Sequence, residues 1–344
     1  MRTEKCRSAM VTISRGLPGI SCSLFVLGNG AILRLILASC LGLRCSDAIF
    51  PHVWPPRPSL LRPGIQSGLK MESEVDMSTR IGVLLLIGLL WGAAACAEDV
   101  SVPVEYHGQQ IQLTGRFEKG AVPGPLPVVI LLHNCAGIDG SPSLAVWAPL
   151  MWAQGYATLR LDSFTARGYR NVCDNPGEVR AAERAQDVFA AAYLLAARPD
   201  VRPDRIAVLG LSHGGGTAIY VARDHEELRP WREQLATRHG KLVASVALYG
   251  GCGTNPGYPV VIPLLALLGG KDDWTPAAPC VALANVQANG IMQAIVYPDA
   301  YHSFDAASGI EKPHSAYGHQ LAYNPEATVD AHKRVPEFLS RYLH

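Results

Sequence analysis

Six short, nearly unbroken apolar runs punctuate the chain from residue 127 onward, at residues 127–132, 157–162, 205–209, 241–249, 261–268 and 291–297. Runs of this length, bounded by glycine, proline and charged residues, predict strands buried on both faces. Between them the spacing changes. Residues 177–197 repeat apolar positions at helical intervals, and Pro325–Leu343 does so again at the end. Ahead of the first run, residues 100–106 and 109–117 alternate and are separated by His107-Gly108, the signature of a tight antiparallel hairpin. Strands alternating with helices predict an α/β fold with a mostly parallel central sheet and helices on both faces. No repeat or low-complexity run interrupts residues 98–344.

The first quarter follows a different pattern. Met77-Ser78-Thr79-Arg80 leads into an apolar stretch at 81–91, and Ala95-Cys96-Ala97 supplies small residues ahead of Glu98. A charged start, a short apolar core and a small-x-small site predict a secretory signal peptide over 77–97. Residues 1–76, patchily apolar and then proline-rich, are read as an over-extended or disordered region, with Met77 or Met71 as the true start. An uncleaved anchor and a lipid-modified Cys96 are the alternatives to cleavage. The folded domain is then 98–344, periplasmic or secreted, and free of the membrane once the leader is removed. A formal charge of +1 over 344 residues argues against a nucleic-acid partner. The mature part keeps Cys135, Cys173, Cys252 and Cys280, an even set suited to two disulfides. Cys252 and Cys280 follow neighbouring strands and can bridge them, leaving Cys135 with Cys173; spacing alone leaves the pairing open.

The chemistry concentrates where strands end. Gly210-Leu211-Ser212-His213-Gly214 lies between a strand and a helix, and G-x-S-x-G in that setting predicts a turn that exposes the serine. A serine hydroxyl is a weak nucleophile until a base takes its proton and a third group orients the base. After the run at 261–268 comes Gly269-Gly270-Lys271-Asp272-Asp273, and after 291–297 comes Asp299-Ala300-Tyr301-His302. An acid and an imidazole at the same sheet edge, in that order, predict a triad of Ser212, Asp272 and His302. The loop His133-Asn134-Cys135 follows the first parallel strand. The backbone N–H groups of Cys135 and His213 are the expected pair of oxyanion donors, with His133 holding the loop by hydrogen bonds. No H-E-x-x-H or paired C-x-x-C motif supports a metal.

These motifs, with Asp162-Ser163-Phe164-Thr165-Ala166-Arg167-Gly168 and Tyr301-His302-Ser303-Phe304, resemble the dienelactone hydrolase branch of the α/β-hydrolases from residue 127 to the C-terminus. The resemblance implies a minimal lid, no cofactor, and hydrolysis of a small carboxylic ester or lactone. It places the acid at Asp272, with Asp273 as runner-up. It also implies that Arg167, or the nearby Arg170, contacts an anionic end of the substrate. The family's founding enzymes carry Cys where this chain has Ser212, a departure that bears on the dienelactone substrate and leaves ester hydrolysis intact. Residues 222–240 are the segment most like a cap. A peptidase, an acyltransferase or a non-catalytic binding protein on the same fold are the competing readings.

Overall fold

The computed structural model describes residues 96–120, 122–253, 257–287, 290–306 and 313–344, together with two short strands, Met10–Thr12 and Ser23–Phe25, that pair antiparallel. The expected leader lies outside the described residues except for its last two, Cys96 and Ala97, and residues 1–76 lie outside apart from those two strands. The described residues from Cys96 to His344 form one compact unit.

The unit opens with the predicted hairpin. β1 (Cys96–Tyr106) and β2 (Gln109–Lys119) pair antiparallel around His107 and Gly108, whose φ values of 50° and 74° are the positive pair that a two-residue type I′ turn requires. The six apolar runs become β3 (Leu126–Leu132), β4 (Ala157–Asp162), β5 (Val201–Leu211), β6 (Leu242–Leu248), β7 (Leu264–Gly269) and β8 (Met292–Tyr297). β7 starts later than its apolar run because Pro263 brings no N–H to the ladder. The sheet runs β8-β7-β6-β5-β3-β4-β2-β1, parallel except where β2 meets its two neighbours.

Both faces are covered. Val128, Ile130 and Leu132 turn toward one core, which they share with α2 (Ala181–Leu195), α3 (His213–Ala222) and α5 (Ala277–Asn285). Val129 and Leu131 turn to the other, shared with α1 (Leu144–Ala153) and α6 (Pro325–Leu343). That two-sided burial explains why these strands read as unbroken apolar runs. Residues 222–240 form no cap: Glu226–Leu228 is a 3-10 turn, and α4 (Arg229–Ala236) packs beside α2. The buried Leu228 and Leu235 belong to the α2 core, which holds the segment against the body.

From β4 the chain crosses β3 to lay β5 on its far side. The loops after β3 and β5 therefore diverge and leave a crevice at the carboxyl ends of the strands, the usual ligand position in open α/β sheets.

Candidate active site

Three glycines let the β5–α3 turn close. A Cβ on Gly210 would lie 2.0 Å from the Gly214 carbonyl oxygen, and one on Gly214 would lie 2.6 Å from the carbonyls of Leu132 and His133. A Cβ on Gly215 would lie 2.8 Å from the Leu248 oxygen. Ser212, at the apex, has φ 52° and ψ −112°, a backbone state that non-glycine residues avoid at a cost of about 1–3 kcal/mol. The strain is held in place from both sides: Ser212 N–H donates to Leu248 O of β6 at 2.9 Å, and Gly216 N–H donates to Ser212 O at 2.8 Å.

His302 stands on the loop after β8, almost wholly buried. Its Nε2 lies 2.8 Å from Ser212 Oγ and its Nδ1 lies 2.8 Å from Asp272 Oδ2. Asp272, after β7, is itself fixed by four donors. Oδ1 accepts from the N–H groups of Trp274 and Thr275 at 2.9 and 2.8 Å, and Oδ2 accepts from Thr275 Oγ1 at 2.8 Å as well as from His302. Burial pushes the Asp272 carboxyl up, but the bonds from His302 and Thr275 outweigh it and hold the group below the usual carboxylate range. It is therefore an anion facing Nδ1–H, which leaves the Nε2 lone pair for the serine proton. The neighbouring Asp273 points elsewhere. It accepts from Gln320 N–H at 3.0 Å and lies 3.6 Å from His319 Nδ1, on the hairpin β9 (His314–Ala316) and β10 (His319–Leu321).

Of the two residues expected to supply oxyanion donors, Cys135 lines the cavity together with Ser212, and His213 follows Ser212 directly in the chain. Neither the Cys135 nor the His213 N–H has an acceptor among the described residues. His133 is fully buried, and burial holds its imidazole well below the ordinary pKa, with the Arg184 charge adding to the effect. As a neutral ring it accepts from Ser163 N–H at 3.2 Å and donates from Nδ1 to Asn134 O at 2.8 Å. That carbonyl belongs to the same peptide group as the Cys135 N–H, so the imidazole sets the direction in which the N–H points. Of the pairings left open by the sequence, the structure holds Cys135 with Cys173 and Cys252 with Cys280. The first forms part of the cavity wall.

Arg167 is a correction. Its side chain is 2% exposed and takes no part in the cavity: it donates to both oxygens of Asp187 at 2.7 and 2.8 Å and to Ser163 O at 2.7 Å. Its guanidinium also covers the Tyr106 ring at 4.8 Å. The loop after β4 turns inward here, so that the arginine ties it to α2 rather than facing a substrate. Arg170 is exposed and likewise lines none of the cavity.

A cavity of about 240 Å³ opens over Ser212 and His302. Tyr249, Trp274 and Tyr317 supply most of its aromatic surface, and His302 is the only titratable side chain besides the tyrosines among the described residues that line it. The β9–β10 hairpin forms one wall, held by Asn171 Nδ2 donating to Tyr317 OH at 2.7 Å. Behind the cavity, Asp305 is buried and accepts from Tyr249 OH, Trp147 Nε1 and Ser143 Oγ at 2.7, 2.8 and 3.1 Å. This fixes the Tyr249 ring edge-on to His302 with centroids 5.1 Å apart. Asp305, Tyr249 and Thr275 escaped the sequence reading, although Asp305 lies only three residues past His302.

Residues 231–343, which contain Asp272 and His302 but not Ser212, match the model of the dienelactone hydrolase family. Solved structures of the same fold include a candidate dienelactone hydrolase from Klebsiella pneumoniae, 22% identical with a TM-score of 0.53 over 73% of this chain and 100% of its own. A dienelactone hydrolase-like promiscuous phosphotriesterase from metagenomic libraries covers the same shares at 20% identity and a TM-score of 0.53. No curated protein matches. The chain thus carries a segment similar to the dienelactone hydrolase family on an α/β-hydrolase fold.

Proposed function

We propose that this α/β-hydrolase is an exported serine esterase that cleaves a small, uncharged carboxylic ester or lactone through Ser212, His302 and Asp272. One observation carries the reading: the strained Ser212 Oγ, His302 and Asp272 form a continuous hydrogen-bonded chain, with both links at 2.8 Å, at the base of an aromatic cavity. His302 Nε2 takes the Ser212 proton as Oγ bonds to the acyl carbon, and the carbonyl oxygen becomes an oxyanion between the N–H groups of Cys135 and His213. Collapse breaks the bond to the alkoxy oxygen, which leaves with the proton held by His302. Water then attacks the acyl-enzyme by the same route and frees Ser212. Asp272 stays ionised throughout and stabilises the imidazolium.

The absence of a cation among the described cavity residues supports an uncharged acyl group. Export is supported by the leader motif at Met77 and by the two disulfides, which persist in oxidising compartments. The test is labelling with a fluorophosphonate, followed by turnover of a panel of esters, lactones and peptides. Wild-type protein is expected to be labelled and to hydrolyse small neutral esters. Ser212→Ala is expected to lose labelling and about 10⁴-fold or more in kcat. Near-native turnover by Ser212→Ala would overturn the assignment.

A further inference from the structure

Arg184 lies on α2 with no exposed surface, directly beneath the site. Its Nη2 donates to the carbonyl oxygen of His133 at 2.9 Å, and its Nη1 donates to Nδ1 of His213 at 2.7 Å. Those two residues begin the segments that carry the expected oxyanion donors: His133 leads the loop to Cys135, and His213 is itself the residue after the nucleophile. One guanidinium therefore spans both. The planar fork suits the task, because its two N–H directions are fixed relative to each other. Phe164 packs under the same group, with the guanidinium 5.0 Å from its ring and the rings of His133 and His213 at 4.4 and 5.9 Å.

The surroundings are unusual for a buried cation. Both acceptors are neutral, Nε has no partner, and no carboxylate among the described residues forms an ion pair with it. The nearby Asp187 is already engaged by Arg167, and it and Asp162 favour the Arg184 charge only through space, less than burial disfavours it. A charge buried in this way is costly in the resting protein. The cost is offset when a negative charge appears close by, and an oxyanion between Cys135 and His213 is such a charge.

We infer that Arg184 is a positioning residue for the hydrolysis, holding the loop after β3 and the start of α3 in register so that the Cys135 and His213 N–H groups converge on one oxyanion. This rests on the proposed acyl transfer at Ser212. Arg184 touches no substrate; it acts through the two backbone segments it joins and through its charge behind them.

The experiment compares Arg184→Met and Arg184→Lys with the wild type on a neutral ester, and counts active sites by fluorophosphonate titration. Removing a single oxyanion donor costs about 10²–10³ in kcat. Loosening both is expected to lower kcat per titrated site by about 10- to 100-fold in Arg184→Met, with KM changed by less than about threefold. A trifluoromethyl ketone adds Ser212 Oγ to its carbonyl carbon, with the proton passing to His302 and the oxygen becoming an oxyanion. Its affinity is expected to fall by the same factor as kcat/KM, while product-acid binding is unchanged. Arg184→Lys, which keeps the charge but not the fork, is expected to fall between the two. The melting temperature of Arg184→Met is expected to change little, since the burial cost of the charge goes together with its bonds to His133 O and His213 Nδ1 and its attraction to Asp187 and Asp162.

Wild-type kcat per site in Arg184→Met would overturn the inference, as would a lower melting temperature with fewer titratable sites of normal kcat. If Arg184→Met does not fold, Arg184→Lys decides: full kcat and full ketone affinity overturn it, and a parallel loss of both supports it. Failure of the acyl-transfer reading looks different, because the wild-type protein itself would then resist labelling.

Discussion

Replacing Arg167 with alanine separates a structural arginine from a substrate-binding one. The Arg167–Asp187 pair is 2% and 1% exposed, and three charge-assisted or charge-to-carbonyl bonds of 2.7–2.8 Å engage the two Nη atoms of the guanidinium. Removing one partner of a buried pair costs about 3–5 kcal/mol, because the other is left charged and desolvated. In a domain of this size that corresponds to a fall of roughly 6–20 °C in melting temperature. Burial already pushes the Asp187 carboxyl above its ordinary range, with Arg167 opposing the shift. In the variant the strongest opposition is gone, leaving only the smaller effects of Ser163 and the Arg184 charge. A carboxyl whose folded pKa is raised keeps its proton longer in the folded state, so stability rises as pH falls through the interval above the unfolded value. The deficit of Arg167→Ala is therefore largest at neutral pH and shrinks on acidification. Chemical denaturation at two pH values, with KM measured on a neutral ester and its carboxylate-bearing counterpart, checks both halves. Removing both charges in Arg167→Met/Asp187→Leu is expected to recover most of the loss. Unchanged stability together with a raised KM for the acidic ester alone would refute the reasoning and restore Arg167 to substrate binding.

Asp272→Asn is expected to lower kcat by about 10⁴-fold, as loss of the orienting acid does in such triads, whereas Asp273→Asn changes kcat by only a few fold; steady-state kinetics on the same ester compares them. Gly214→Ala sets a Cβ 2.6 Å from two backbone carbonyls, so a clear drop in melting temperature and in active-site titre is expected. Each disulfide closes a loop of 38 or 28 residues, worth about 4 kcal/mol in chain entropy. Cys173→Ser is expected to lower kcat as well as stability, because its bridge anchors Cys135, while Cys280→Ser lowers mainly stability. Protein recovered from outside the cytoplasm is expected to begin at or near Glu98, as read by intact mass.

The sheet was legible in the sequence because parallel strands covered on both sides admit almost nothing but apolar residues, and because His107-Gly108 spells out its turn. The ends of those strands were legible for a related reason: Ser212, Asp272 and His302 each stand where an apolar run gives way to glycine or polar residues. α1 was not, since nearly every position in Leu144–Ala153 is apolar and Pro149 interrupts it. With no polar face, no helical period emerges. The β9–β10 hairpin was missed because its strands are three residues each, too short for an alternation to register. Arg167 was misplaced because local sequence cannot say which way a loop folds, and its partner Asp187 lies on a different element. Arg184 left a trace: it falls on the buried stripe of α2 with Val188, Ala191 and Leu195. A charge among those positions is a signal of a buried polar network.

The placement of the two bridges also governs what cleavage can do to the molecule. Cys135–Cys173 encloses α1 and β4, and Cys252–Cys280 encloses β7 and the Asp272 turn. A protease that nicks the chain anywhere inside either ring leaves both fragments covalently joined. The product runs as one band without reductant and as two with it. In an extracellular setting rich in peptidases, backbone scission within those rings and loss of the polypeptide's integrity are therefore separate events.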